Sequence, residues 1–377
     1  MLLPDIFVNI CIPFPPINQF HLLIFNLFHI VNDVIDFRTI TLCKGFVNMC
    51  TIYEIAKRCG VSTTTVSRVL NNHPYVSEEK RQHILQVMKE MEYTPSSAAR
   101  TLRSHQTKTI AVSVPAVDHP FFAQLIKGIS KEALDQGYKA IVLQTFYQES
   151  VELEGLQLLK RKEVDGVILG ALENKWETIE PFLANGPIVM ANEFHQTADI
   201  PIIGYDEREA AYKAVDYLIQ SGRTSIGFCF DTESSEAQKQ RKQGYLDALS
   251  DHGLPLKEDW LFGEAFTIED GFRLMDLIHR MPDEPDAIFT GNDQVAAGLI
   301  KQAISYGYDI PKDLAVIGYD NQDICEVTAP TITTIDIPIV ELGQQSVKQM
   351  IQLLQDQKPL QREHIQLPTR LVTREST

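Results

Sequence analysis

Residues 51–71 read TIYEIAKRCGVSTTTVSRVLN, two short amphipathic helical patterns broken at Gly60. Thr51 and Glu54 have the T-x-x-E spacing of a capping box, and Ile52, Ile55, Ala56 and Cys59 recur on one helical face. Gly60 offers a left-handed stop, after which Ser62 can cap a second helix with Val66, Val69 and Leu70 on its apolar side. The other side carries Thr63, Thr64, Thr65, Ser67, Arg68 and Asn71, with no Asp or Glu to repel phosphate. Such a face suits a DNA major groove, where arginine addresses guanine, threonine methyls meet thymine and hydroxyls hold backbone oxygens. The same pattern also fits a polar surface on an ordinary helical hairpin, so the residues that follow decide.

Ser77 opens a third helix with Glu78 and Glu79 at its positive end and Ile84, Leu85, Val87, Met88 and Met91 as its core face. Tyr93-Thr94-Pro95 ends it, residues 96–103 (SSAARTLR) form one more helix-prone segment, and 104–108 lead into a strand. The motifs V-S-x-x-T-V-S-R-V-L-N and Y-x-P-S-x-x-A-R-x-L resemble those of the LacI/GalR family of bacterial transcription regulators, and the resemblance runs from Met49 to the C-terminus. It implies a homodimer that reads a near-palindromic double-stranded operator. Thr51, Ser62, Thr63, Thr64, Thr65, Ser67, Arg68 and Asn71 would face the major groove. A hinge helix would bring Ser97, Ala99, Arg100 and Leu102 to the minor groove, with Leu102 matching the leucine that family members wedge between bases.

A chain of 377 residues, 44% hydrophobic and 22% charged, is long enough for a small domain and a large one with its own core. Charge is divided unevenly. Residues 51–108 hold nine Lys or Arg against five Asp or Glu, net +4, whereas 109–377 carry −19 of the total −16, the first 50 residues adding −1. The head must therefore supply the attraction to DNA that the acidic body lacks. Cys11, Cys43, Cys50, Cys59, Cys229 and Cys325 form no C-x-x-C and have no His at metal-ligand spacing, and read as free thiols of a cytoplasmic protein. Residues 1–48 are largely apolar but lack a basic start and an unbroken span-length run, so they read as an over-extended start or unstructured extension rather than a signal or membrane anchor.

Beyond the head, apolar runs at 109–114, 140–143, 166–169, 188–191, 202–204, 226–230, 287–290 and 315–318 alternate with helical patterns. That is the signature of parallel sheets with helices on both faces. The resemblance implies two lobes of the periplasmic-binding-protein type. The expected organisation is a helix-turn-helix head at 49–94, a hinge and linker at 95–108, and an α/β effector and dimerisation domain at 109–377. Its lobe 1 would span about 109–207 and 338–365, and its lobe 2 about 208–337 and 366–377.

Ligands of such sheets sit beyond the carboxyl ends of the strands. Polar residues there are Asp206, Asn292, Asp293 and Asp320; Arg241 lies in QRKQGY, Phe121 and Phe122 follow Asp118-His119-Pro120, and Phe266 lies in GEAF. Carboxylates that accept hydroxyls, Arg241 and Asn292 as donors, and three aromatic faces have the composition of a sugar or nucleoside cleft. Individually, a strand-end Asp can equally cap the next helix and a Phe can be core. Purine-responsive relatives carry an arginine six positions before the one matching Arg241, where this chain has Ser235; a sugar or sugar phosphate effector is the better expectation. HPYVSEEKR, residues 73–81, is most similar to catabolite-control members, which implies a phosphorylated carrier protein as a further partner.

The expected function is a repressor whose operator affinity is set by that effector, with no cofactor and no membrane. Control mainly by a partner protein is the alternative. A sugar-binding protein without a DNA role would lack the head. No GxxxxGK[ST], HExxH or GxSxG suggests an enzyme.

Overall fold

A computed structural model describes residues 51–70, 72–93, 106–193, 195, 197–231, 235–356 and 363–377, and the chain divides into two units between Pro95 and Ser96. Asn71, Ser97, Ala99, Arg100, Leu102 and the stretch 1–48 lie outside the described residues.

In the first unit, α1 (Ile52–Cys59), α2 (Thr63–Leu70) and α3 (Glu78–Glu90) enclose a small core of Ile55, Ala56, Val66, Val69, Ile84, Val87 and Met88. The capping box forms as read: Thr51 Oγ1 accepts from Glu54 N at 3.3 Å, and Thr51 N donates to the Glu54 carboxylate at 2.8 Å. Gly60, at φ 63°, ends α1 in the left-handed conformation. Ser62 Oγ accepts from Thr65 N at 3.2 Å and starts α2. Ser77 stands at the start of α3 as read, and one expectation of that helix fails. Leu85 is 42% exposed, because α3 packs on α1 and α2 along one face only; Ser77 makes no side-chain cap bond. Arg81 ties down the α2–α3 loop, donating to Asn72 Oδ1 and His73 O at 2.9 and 2.7 Å.

The second unit alternates β1 (Thr109–Val114), α4 (Pro120–Asp135), β2 (Lys139–Gln144), α5 (Glu149–Lys160), β3 (Gly166–Leu169), α6 (Trp176–Ile179), β4 (Ile188–Ala191) and β5 (Ile202–Tyr205). There follow α7 (Glu207–Gln220), β6 (Ile226–Cys229), α8 (Glu236–Asp251), β7 (Leu261–Phe262), α9 (Ile268–Ile278), β8 (Ala287–Phe289), α10 (Asp293–Ser305), β9 (Ala315–Asp320), α11 (Ile324–Val327) and β10 (Thr333–Asp336). The chain closes with α12 (Ile339–Asp356), β11 (His364–Leu367) and β12 (Arg370–Val372).

Two six-stranded sheets result, ordered β11-β5-β4-β3-β1-β2 and β12-β10-β9-β8-β6-β7. All pairings are parallel except β12 with β10. The chain passes between the sheets after β5, after β10 and after β11. Strands such as β1, β3, β4 and β9 are buried along their whole length, as parallel strands with helices on both faces must be. Glycines set the closest helix contacts: a Cβ at Gly128 of α4 would stand 2.2 Å from Val340 O of α12, and one at Gly244 of α8 2.1 Å from Arg208 O of α7. Among the described residues, no helix is long and apolar enough to cross a membrane.

Candidate functional site

On the head, Ser62, Thr63, Thr64 and Arg68 are exposed, and Thr65 and Ser67 half-buried, while Val66 and Val69 anchor the opposite side of α2 in the core. The amphipathic pattern thus leaves a short hydroxyl-and-arginine face outward. Thr51 Oγ1 is engaged in its cap, so this residue acts first as the fixed N-terminus of α1.

In the body, the carboxyl ends of both sheets converge on a chamber of about 110 Å³ that adjoins a wider cleft of about 1410 Å³. Lobe 1 contributes His119, Phe121, Phe122, Tyr147, Glu173 and Glu193; lobe 2 contributes Asp231, Ser235, Gln238, Arg241, Phe266, Asn292 and Asp320. Phe121 and Phe122 meet edge to face, with centroids 5.1 Å apart. Tyr147, at φ 59°, lies against Phe266 of the other lobe with centroids 5.7 Å apart. Ser235 Oγ donates across the cleft to Glu193 Oε1 at 3.2 Å.

Several polar groups await partners. Both ring nitrogens of His119 and Oε1 of Gln238 are buried without a hydrogen bond. Burial lowers the His119 pKa to about 4, keeping the ring neutral, so it offers one donor and one acceptor. Burial likewise pushes Glu193 up to about 7, with Ser235 opposing. Asp320, at φ 102°, is raised well above the carboxylate range by burial and by the nearby Asp293. Neutral hydrogen-bonding groups between aromatic faces are what a polyhydroxylated ligand needs.

Of the residues expected at the effector site, Phe121, Phe122, Arg241, Phe266, Asn292 and Asp320 line the chamber. Asn292 also caps α10, accepting from Val295 N at 3.0 Å, and donates to Phe266 O at 3.1 Å, which fixes that ring's backbone. Two residues lie outside that lining. Asp206 caps α7 by accepting from Glu209 N at 2.8 Å. Asp293 is fully buried beneath the chamber, accepting from Thr334 Oγ1 at 2.6 Å and Gln322 N at 2.7 Å. Its role is to hold the turn after β9, where Gln322 in turn donates to Asp320 at 2.9 Å. Sequence reasoning missed Glu193, Asp231, Gln238, Tyr147 and Glu173 as lining residues. Their only shared signal is position just past a strand or in the first turns of the next helix. Among the described residues, no group of His, Cys, Asp and Glu could hold a metal ion.

Residues 51–96 match the family described as bacterial regulatory proteins, lacI family, and 107–375 match periplasmic binding proteins and sugar binding domain of LacI family. The NTD biosynthesis operon regulator NtdR of Bacillus subtilis (strain 168) is 62% identical over 329 residues, covering 87% of this chain and all of that one. Among solved structures, the lac repressor dimer bound to operator and the anti-inducer ONPF superposes with a TM-score of 0.78 at 25% identity, covering 87% of this chain and 98% of that one. A LacI family regulator from Lactobacillus casei with bound glucose gives 0.65 at 28% identity, covering 71% and 99%.

Proposed function

The chain belongs to the LacI family of bacterial regulatory proteins and is a transcriptional regulator rather than an enzyme, and from that premise we propose that its operator affinity is governed by an unphosphorylated sugar held between the lobes of the body. The observation that carries this reading is the preponderance of acidic over basic side chains in the chamber. Among the described residues, its lining includes Glu173, Glu193, Asp231 and Asp320 but a single Lys or Arg, Arg241. Such a lining accepts hydroxyl or amino donors and disfavours phosphate. The glucose bound by the Lactobacillus casei relative agrees with a sugar effector.

The head would read DNA through Arg68 and the hydroxyls of α2, as a homodimer on two half-sites, since one helix reads only a few base pairs. Asn71 and the hinge residues Ser97, Ala99, Arg100 and Leu102 would complete the contacts. Effector binding would shift the lobes and so the hinges that they hold. A phosphorylated carrier protein, the partner implied by residues 73–81, is the competing source of control.

The test is calorimetric titration with neutral sugars, amino sugars and their phosphates, paired with operator binding at fixed salt. An unphosphorylated sugar should bind and change operator affinity about 5- to 150-fold. Binding of phosphorylated sugars alone, or control by carrier protein with no sugar response, overturns the reading.

A further inference from the structure

Glu207, the first residue of α7, and Arg241 of α8 are both buried, and the pair is chelated. The carboxylate accepts from Arg241 Nε at 2.6 Å and Nη2 at 3.0 Å, and Tyr319 Oη donates to it at 2.5 Å. The Tyr319 ring lies under the guanidinium, 3.7 Å from its central carbon, and Nη1 donates to Gly291 O at 2.9 Å. A guanidinium has five N–H groups. Three are thus spent on Glu207 and Gly291, leaving one on each terminal nitrogen for the chamber that Arg241 lines. Glu207 is not itself in that lining. Gly244, one turn beyond Arg241, makes the arrangement possible, since its missing side chain lets α8 touch the α7 backbone.

We propose that Glu207 is the specificity-determining residue of the chamber: by holding Arg241 in a bidentate grip and cancelling its charge, it turns the one Lys or Arg among the described lining residues into a hydrogen-bond donor for hydroxyls and closes the site to anions. The inference rests on the chamber being the effector site. Glu207 acts through Arg241 and is therefore a positioning residue. An arginine with both faces of its fork free would instead be a phosphate receptor. Here the Nε/Nη2 edge is taken by Glu207, and the acidic side chains of Glu193, Asp231 and Asp320 share the chamber in front.

The experiment uses the full chain with inorganic phosphate as probe, followed by calorimetry and by the thermal midpoint at constant ionic strength against chloride. Wild type should show no saturable phosphate binding and no shift. Glu207→Gln keeps an oxygen for Arg241 but not the charge, and should bind phosphate at least about tenfold more tightly. The gain should vanish in Glu207→Gln combined with Arg241→Met. If Glu207→Gln folds only in phosphate, that rescue supports the proposal equally. Wild type that binds phosphate through Arg241, a folded Glu207→Gln without gain, or one that fails to fold in either salt overturns it, the last marking a purely structural ion pair. No readout involves a sugar, so failure of the effector reading would appear separately in the sugar titrations.

Discussion

Ser235 Oγ, at the N-cap of α8, donates to Glu193 Oε1 at 3.2 Å from the opposite lobe, so each lobe supplies one partner of a bond across the cleft. Burial raises the Glu193 carboxyl from 4.5 to about 7. A raised folded-state pKa makes its contribution to stability complete below about 4.5 and lost as pH rises through about 7, a loss of about 3 kcal/mol. His119 runs the other way: lowered from 6.5 to about 4 by burial, its contribution is present above 6.5 and lost as pH falls through 4. The two overlap in a raw profile. The difference between wild type and Glu193→Gln in guanidinium unfolding isolates the first, and the variant should gain on wild type steadily from pH 4.5 to 7. A difference flat in pH would remove Glu193 as a buried titrating acid.

Gln238 carries a buried Oε1 without a partner. Gln238→Leu removes that orphan, so the effector-free protein should be as stable as wild type or more so, while effector affinity drops about tenfold, near 1.4 kcal/mol. Thermal melts with and without effector read both. A variant that loses stability and keeps its affinity would show Gln238 to be a structural residue.

Arg68→Ala should cost about 1 to 3 kcal/mol of specific operator binding, because the side chain is exposed on the outward face of α2. The head's unfolding should be unchanged. Fluorescence titration of operator and scrambled duplex at one salt concentration gives the comparison, and equal affinities of variant and wild type for operator would displace Arg68 from the reading face.

Gly244→Ala should destabilise the body by about 1 to 3 kcal/mol, since the new methyl would fall 2.1 Å from a backbone oxygen of α7 and neither helix can yield alone. The midpoint of guanidinium unfolding measures it. An unchanged midpoint would mean that the α7–α8 contact tolerates separation, and with it that Arg241 is less tightly placed than the geometry indicates.

The head was legible in the sequence because its determinants are local: a box between Thr51 and Glu54, a glycine at 60 and a cap at Ser62 all act within a few residues. Leu85 was misread because a helical pattern cannot tell how wide a stripe its neighbours will cover. In the body, strand ends were located well enough to bring Arg241, Asn292 and Asp320 to the chamber. Asp206 and Asp293 fall outside the lining for different reasons: Asp206 caps the helix that follows it, whereas Asp293 is spent on Gln322 N and Thr334 Oγ1, 29 and 41 positions further on, which nothing local marks. Glu207 and Arg241 are 34 positions apart, and nothing local marks that they pair. Glu193 and Gln238 matter only because the lobes face each other.

The order of the strands has a consequence for how the protein is made. The first sheet takes its edge strand, β11, and the helix against α4, α12, from residues 339–367, after the whole second sheet except β12 has been laid down. A nascent chain emerging N-terminus first therefore carries an incomplete lobe 1, with the face of α4 bare and β5 unpaired on one side, until residues 339–367 have been made. Lobe 2 at that stage lacks its short antiparallel strand and residues 373–377, of which Ser376 bonds to Val316 O and Thr333 N. The lobe translated first is the one completed late, and a ribosome that stalls within α12 leaves exposed the surfaces that a chaperone would have to shield.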